Sequence, residues 1–271
     1  MKRKIQVGFL NMMPDTMSYE ALVRSALASH EDVMDLYPIR LVTHQYSDRT
    51  IPQGHYRSFA ETLELVRLDL LIITGAPVEH LDYEQVSYWT ELAQIIAQAG
   101  RRIRATAGIC FGGLAIAKCL GIGKRLVEGK VFGMYRLKSM DPRCIYAGAP
   151  GSDVCMPFST RALLDPVEVE RQTMHGLRRV ACSEGIDAVL ETGDRRFLIV
   201  LGHPEYEVAT LRQEWIRDTA KGIGYAGKFT EDYFEQIGAW MPNRDDSILA
   251  KWISSHIEEI NTLRVVEGTS A

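Results

Sequence analysis

The sequence predicts an α/β fold, a doubly wound and mostly parallel sheet flanked by helices. Apolar runs typical of buried strands alternate with helical spacing through the first half of the chain, as in parallel strands joined by helical crossovers. The clearest runs end in short loops, at the edge where α/β sheets bind their ligands. One run ends in a cysteine framed by glycines, the pattern of a nucleophile elbow between a strand and a helix.

Continuous apolar sequence in the first half indicates strands that are buried on both faces. The predicted strands cover residues 5–11, 39–43, 70–74 and 103–109. Apolar residues at helical spacing predict the helices between them. These are a helix capped by Ser18, an amphipathic segment over 59–66, a long helix over 83–99 and a helix that begins near Gly112.

Beyond residue 125 the hydrophobic pattern becomes less regular. The predicted elements there are short strands or hairpins over 125–138 and 181–192, a buried strand over 197–201, and helices over 209–221 and 246–266. No repeat or linker interrupts the chain. We therefore expect one α/β domain over residues 1–271, with a C-terminal helical tail over about 221–271.

Composition limits the classes of function. The 271 residues are 46% hydrophobic, enough for a large core. The 31 basic residues against 35 acidic ones give a net charge of -4, so there is no basic excess to hold a nucleic acid. No apolar stretch reaches the roughly 20 residues that span a membrane. The five cysteines are scattered without a C-x-x-C pair, which predicts a reducing cytoplasm and no metal centre.

Three residues predict covalent chemistry. Cys110 lies between Gly108 and Gly112, and the start of a helix favours the thiolate form of such a cysteine. His203 follows the strand predicted over 197–201, so its ring is expected at the same sheet edge as a base, and Glu205 is close enough to orient it. A buried structural cysteine and a histidine that only ends a strand are the alternatives. Together the three indicate acyl transfer.

The loop that begins Gly75-Ala76-Pro77 is expected to lie beside the elbow. The backbone N–H groups of Val78 and Glu79, with that of Phe111, are the predicted donors to the oxyanion of a tetrahedral intermediate. Pro77 has no N–H to offer. A turn that binds no ligand is the alternative.

The segments 75–79, 86–89, 108–112 and 202–207 resemble homoserine O-acyltransferases of the homoserine O-succinyltransferase type, and the order and spacing hold over about 4–220. The resemblance implies a class I glutamine-amidotransferase-like (flavodoxin-like) fold, a homodimer and ping-pong chemistry without a bound cofactor. Cys110 would accept the acyl group from an acyl-CoA as a thioester. His203, oriented by Glu205, would then deprotonate the hydroxyl of a hydroxy amino acid.

The resemblance also implies substrate-binding residues. Lys130 and Ser159 match residues that contact substrate, and Arg217 matches an arginine that pairs with the amino acid carboxylate. Glu79 stands where glutamate is associated with acetyl-CoA and glycine with succinyl-CoA. A carboxylate there would repel the negative end of a succinyl group. Acetyl-CoA is therefore the predicted cosubstrate.

Other readings stay open at this stage. Phe158 stands where the family usually places histidine, so serine or another hydroxy amino acid is an alternative acceptor to homoserine. Succinyl-CoA is an alternative donor. A glutaminase or amidase would use the same cysteine, histidine and glutamate on the same scaffold. A non-catalytic descendant is the remaining alternative, against which the intact candidate residues argue.

Overall fold

The computed structural model describes residues 3–47, 51–144, 146–149, 151–183 and 185–269, with side chains through residue 264. Its strands are β1 Ile5–Leu10, β2 Met34–Arg40, β3 Arg57–Ser58, β4 Leu70–Ile73, β5 Ala105–Ile109, β6 Lys124–Ser139, β7 Asp153–Leu164, β8 Leu177–Ser183, β9 Ile186–Thr192 and β10 Phe197–Val200. Its α-helices are α1 Thr16–Ala26, α2 Phe59–Leu65, α3 Trp89–Arg102, α4 Phe111–Cys119, α5 Pro166–Thr173, α6 Val208–Ala220, α7 Glu231–Ile237 and α8 Ile248–Thr269.

Within the described ranges the strands form one ten-stranded sheet in the order β3-β2-β1-β4-β5-β10-β9-β8-β6-β7. The strands from β3 to β10 in this order are parallel, and those from β9 to β7 add an antiparallel wing. Strand order reverses between β1 and β4, the switch point at which doubly wound sheets bind ligands. The predicted fold class is confirmed.

The central strands are fully buried, so they hold the site in a fixed position. Every residue of β1, β4 and β5 is buried, as their apolar sequences require. The carboxyl ends of these strands and of β10 meet at one edge of the sheet. Helix α8 packs back on the domain through buried Trp252 and Ile253 and a 2.8 Å hydrogen bond between Ser254 and His30. No helix of the described ranges is long and apolar enough to cross a membrane.

Several predicted boundaries were wrong. Strand β2 covers 34–40 rather than 39–43, since Pro38 and polar neighbours interrupt its apolar pattern. Helix α1 is capped by Asp15, whose side chain accepts from the N–H of Ser18. The helix predicted over 83–99 is a 3-10 turn followed by α3, which ends at Arg102 rather than at Gly100. A Cβ on Gly100 would lie 3.0 Å from the Phe197 ring, so this position of the helix packs closely on β10. Strands β3 and β7 and helix α5 were not predicted, and helix α7 lies within the predicted helical tail.

Candidate active site

The elbow places Cys110 between β5 and α4. Its φ of 50° is a left-handed conformation that costs free energy in a residue other than glycine. Its N–H donates to the carbonyl of Val200 at 2.7 Å, which fixes the turn to β10. A Cβ on Gly108 would overlap the carbonyl of Gly112, and one on Gly112 would overlap the carbonyl of Ile73. The glycines are therefore needed for the close contact of strand and helix.

His203 lies between a carboxylate and the cysteine. Its Nδ1 is 2.7 Å from Glu205 Oε1, and it stacks on Tyr206 with ring centres 4.0 Å apart. The Cys110 side chain lies beside the ring, since a Cβ on Gly75 would be 3.3 Å from Cys110 Cβ and 3.6 Å from His203 Cε1. Burial alone would lower the pKa of His203, but Glu205 and the Cys110 sulfur raise it well above its usual value. The geometry brings the three predicted catalytic residues together and favours an imidazolium beside the sulfur.

Tyr19 completes this arrangement, and sequence reasoning missed it. Its hydroxyl donates to Glu205 Oε1 at 2.5 Å. Burial and then the charge of Glu205 raise the pKa of Tyr19 well above its usual value, so the hydroxyl stays a donor. Tyr19 is on α1, 186 residues from Glu205 in the chain, and no local sequence pattern predicts such a contact. Glu205 Oε2 is buried and has no partner among the residues described.

A cluster of four charged side chains forms a second part of the site. Lys130 Nζ lies 2.6 Å from Asp218 Oδ2 and 2.8 Å from Glu214 Oε1. Arg217 Nη2 lies 2.9 Å from Asp218 Oδ1 and 3.0 Å from Glu214 Oε1. The Ser159 hydroxyl donates to Glu214 Oε1 at 2.6 Å. The three residues predicted to contact substrate thus converge on two acids that were not predicted, which share one face of α6 with Arg217.

Glu214 is held as a carboxylate by this cluster. Burial alone would raise its pKa, but Lys130 and His203, with hydrogen bonds from Lys130 and Ser159, lower it to about 2. Lys130 is buried as well, so loss of either charge would leave the other without full compensation.

Acid is therefore expected to destabilise the fold through Glu214. Because the folded-state pKa of about 2 lies below the ordinary value of 4.5, the Glu214 carboxylate contributes roughly 3 kcal/mol to the free energy of unfolding above the unfolded-state pKa, and this contribution is lost as pH falls toward 2. Urea unfolding at pH 6 and pH 3 should show that the advantage of the wild type over Glu214→Gln shrinks at the lower pH. Glu64→Gln, on the exposed side of α2, is the matched control. An unchanged difference at the two pH values would contradict the prediction.

One cavity of about 460 Å³ connects these groups. Parts of its wall follow the carboxyl ends of β1, β4, β5 and β10, as expected at a switch point. The residues predicted from the sequence that line it are Cys110, His203, Lys130, Ser159, Arg217 and Glu79. Glu205 lies behind His203. Within the described ranges, no group of three or more His, Cys, Asp or Glu side chains could hold a metal ion.

The loop after β4 lies against the elbow. A Cβ on Gly75 would be 3.3 Å from Cys110 Cβ, so only a small residue allows this approach. The N–H of Val78 donates to the carbonyl of Ala76 at 2.8 Å. The Val78 N–H is therefore already used within a tight turn, so the prediction of Val78 as an oxyanion donor was wrong. Phe111 is the first residue of α4, so its N–H precedes the first helical hydrogen bond, and Glu79 remains the predicted second donor.

Glu79 is buried at 8% exposure although it belongs to a loop. Its carbonyl accepts from Lys124 Nζ at 2.7 Å, and the Lys124 ammonium also lies over the Tyr83 ring, 4.5 Å from its centre. The contact from Lys124 fixes the Glu79 backbone, and Glu79 lines the cavity. Among the described residues its carboxylate makes no hydrogen bond or ion pair. A negative charge is thus presented to whatever occupies the cavity.

Comparison with known proteins identifies the family. The family model for homoserine O-succinyltransferase (HTS) matches residues 1–258. A homoserine O-acetyltransferase of Dinoroseobacter shibae is 32% identical over 224 residues, which are 81% of this chain and 72% of that one. The enzyme of the same name from Agrobacterium fabrum is 31% identical over 236 residues, 86% and 75% of the two chains.

Solved structures support the fold. A glutamine amidotransferase of Thermotoga maritima superposes with a TM-score of 0.62 at 15% identity, over 94% of this chain and 99% of that one. A glutamine amidotransferase of Methylobacillus flagellatus gives a TM-score of 0.57 at 16% identity, over 93% and 94%. At these identities the likeness concerns the fold alone. With its sheet, elbow and sequence relatives taken together, the chain belongs to the homoserine O-succinyltransferase family.

Proposed function

We propose that this protein transfers an acetyl group from acetyl-CoA to the side-chain hydroxyl of homoserine, through a thioester on Cys110. The observation that carries the proposal is that Cys110 and His203 lie side by side at the wall of one cavity, with Glu205 hydrogen-bonded to the far side of the His203 ring. Family membership adds the class of reaction, and the relatives named homoserine O-acetyltransferase favour this donor and acceptor.

The first half-reaction would load the cysteine. The Cys110 sulfur attacks the thioester carbonyl of acetyl-CoA, and the N–H groups of Phe111 and Glu79 receive the negative oxygen of the tetrahedral intermediate. The carbon–sulfur bond to CoA then breaks. His203 gives its proton to the departing CoA sulfur, which leaves acetyl-Cys110 and a neutral imidazole.

The second half-reaction would transfer the acetyl group from Cys110 to the acceptor. Neutral His203 accepts the proton of the acceptor hydroxyl as that oxygen attacks the acetyl carbon. The new intermediate collapses, the Cys110 thiolate leaves, and the O-acetyl amino acid is released. The imidazolium forms 2.7 Å from Glu205, which stabilises its charge while Tyr19 holds the carboxylate in place.

Glu79 would select the donor. The cavity wall carries its carboxylate, and a succinyl group would place a second negative charge nearby, at a cost of several kcal/mol. We expect Glu79→Gly to raise the ratio of succinyl-CoA to acetyl-CoA use at least about 10-fold, which corresponds to 1.4 kcal/mol. Steady-state kcat/KM for each donor measures this ratio. Glu79→Asp keeps the charge and should keep acetyl-CoA preference; equal ratios in the two variants would contradict the role.

Two further features belong to the proposal. The five cysteines are free thiols, which supports the predicted cytoplasmic location. A homodimer follows from the family resemblance, and light scattering during gel filtration would test it.

The acceptor is the part of the proposal most open to direct test. Phe158 is fully buried, packs against Tyr135 with ring centres 5.0 Å apart and is outside the cavity lining. Homoserine, L-serine, D-serine and threonine should each be offered with acetyl-CoA and with succinyl-CoA, and release of free CoA should be measured. Homoserine with acetyl-CoA is expected to be fastest. Ammonia release from glutamine without any CoA-dependent acylation would select an amidase instead.

A further inference from the structure

Tyr206 covers one face of the candidate catalytic histidine. The two rings are stacked, with their centres 4.0 Å apart and an angle of 21° between their planes. Tyr206 is buried and lines the same cavity as Cys110 and His203. The phenol therefore lies against the imidazole at the place where the proposed proton transfers occur.

A four-residue turn produces this stacking. The N–H of Tyr206 donates to the carbonyl of His203 at 3.1 Å. This hydrogen bond closes a β-turn, and Pro204 occupies the second position, where proline is favoured. Glu205 is the third residue, and its carboxylate meets the Nδ1 edge of the His203 ring at 2.7 Å. One turn thus holds the imidazole at its edge through Glu205 and at its face through Tyr206.

Contact on two sides restricts the orientation of the imidazole. A rotation of the ring would break the hydrogen bond to Glu205 and would push the ring edge into the Tyr206 phenol. Protein interiors are closely packed, so the buried phenol leaves little room for that movement. A base must also stay within hydrogen-bond reach of the proton that it accepts. The stack therefore keeps His203 in the orientation that Glu205 sets.

The stack also acts on the charge of the imidazole. The face of a neutral aromatic ring carries excess electron density and attracts a cation. Burial, and then the charges of Glu214 and Glu205, raise the pKa of Tyr206 well above its usual value, so the phenol stays neutral. The titratable groups that act on His203 besides Tyr206 are Cys110 of the elbow, Glu205 of the turn with Tyr19 bound to it, and Glu214 of α6.

We propose that Tyr206 is a positioning residue, whose ring fixes the plane of the His203 imidazole and stabilises the imidazolium that forms during deacylation. This role rests on the proposed function. Leucine fills a similar space without an electron-rich face, so Tyr206→Leu is expected to lower the pKa of His203 by about 0.5 to 1. It is expected to lower kcat about 10-fold. Tyr206→Phe keeps the stacked ring and should keep both values.

The first part of the test measures the pKa of His203 without turnover. In Cys110→Ala protein with isotope-labelled histidine, the ring signals of His203 are followed by NMR across pH and are assigned by their loss in His203→Gln. Tyr206→Leu and Tyr206→Phe are compared in this background. Tyr37→Leu is the matched control, because Tyr37 is a half-buried tyrosine of β2 outside the cavity lining, and it should leave the pKa of His203 unchanged.

The second part of the test follows deacylation of acetyl-Cys110 by homoserine. Tyr206→Leu should lower kcat with little change in the KM for homoserine. The limb of its pH–rate profile that reports His203 should move to lower pH, because a less stable imidazolium loses its proton more readily. Tyr206→Phe should restore both the rate and the profile. Tyr206→Met, which also lacks a ring, repeats the comparison if the leucine variant does not fold.

Three outcomes would overturn the inference. The first is an unchanged pKa of His203 in Tyr206→Leu. The second is a Tyr206→Phe protein that behaves like Tyr206→Leu, which would assign the effect to the hydroxyl. The third is a raised KM with an unshifted profile, which would make Tyr206 a wall of the cavity only. Failure of the wild type to acylate Cys110 would instead refute the proposed function, and the NMR titration would still decide whether Tyr206 stabilises the imidazolium.

Discussion

Replacement of Cys110 by alanine is expected to abolish turnover, with a loss on the order of 10⁶-fold, as for the nucleophile of other triad enzymes. The thioester needs a sulfur, and the elbow places the Cys110 side chain beside His203. Acetyl-CoA without acceptor should add one acetyl group to the wild type and none to the variant, as seen by intact mass. The release of CoA should disappear together with the adduct.

Cys119→Ala is the matched control for this experiment. Cys119 is an exposed free thiol at the end of the same helix and lies outside the cavity lining. It should leave both the adduct and the turnover unchanged. An acetyl group found on the Cys110→Ala variant at another residue, with turnover preserved, would contradict the thioester mechanism.

Glu205→Gln carries the second largest expected effect, a loss of about 10⁴-fold in kcat, as when the orienting carboxylate of a triad becomes an amide. The carboxylate counters the lowering of the His203 pKa by burial. Without it that pKa should fall, so the limb of the pH–rate profile that reports His203 should move to lower pH. Deacylation of acetyl-Cys110 by the acceptor, followed across pH, measures both the loss and the shift.

A nearby acid serves as control for Glu205. Glu207 is two residues along and is paired at the surface with Arg244, so Glu207→Gln should keep the wild-type rate and profile. Tyr19→Phe removes one hydrogen bond to Glu205 but keeps the charge, and its effect should be much smaller. A Glu205→Gln enzyme with an unshifted profile would mean that the carboxylate does not tune the histidine.

The sequence predicted the elbow because its requirement is local. Gly108 and Gly112 flank Cys110, and a mostly apolar strand leads into it, so the turn and its burial can be predicted from adjacent residues. His203 was found in the same way, after an apolar run. Tyr19 and Asp218 were missed because their partners lie far along the chain, and only the completed sheet brings them near.

The predicted bounds of strands and helices were wrong where local sequence signals conflicted or were not used. In β2, Asp35 and Pro38 break the apolar run although the strand pairs with β1 throughout. Helix α5 begins with Asp165 as its cap and Pro166 in the first turn, a clear start signal that was not used. The sequence of strand β7 has no regular strand pattern, and the strand is defined by its pairing with β6.

The antiparallel wing described above has a consequence for how this enzyme class diversifies. The sulfur and the imidazole come from strands buried in the parallel core, whereas Lys130 and Ser159 come from the hairpin of β6 and β7 at the far end of the sheet. In the proposed mechanism, substitutions in the hairpin are expected to change which amino acid is recognised while they leave the cysteine and the histidine in place. The two half-reactions proposed above would then depend on separable parts of one sheet, and each part could change independently of the other.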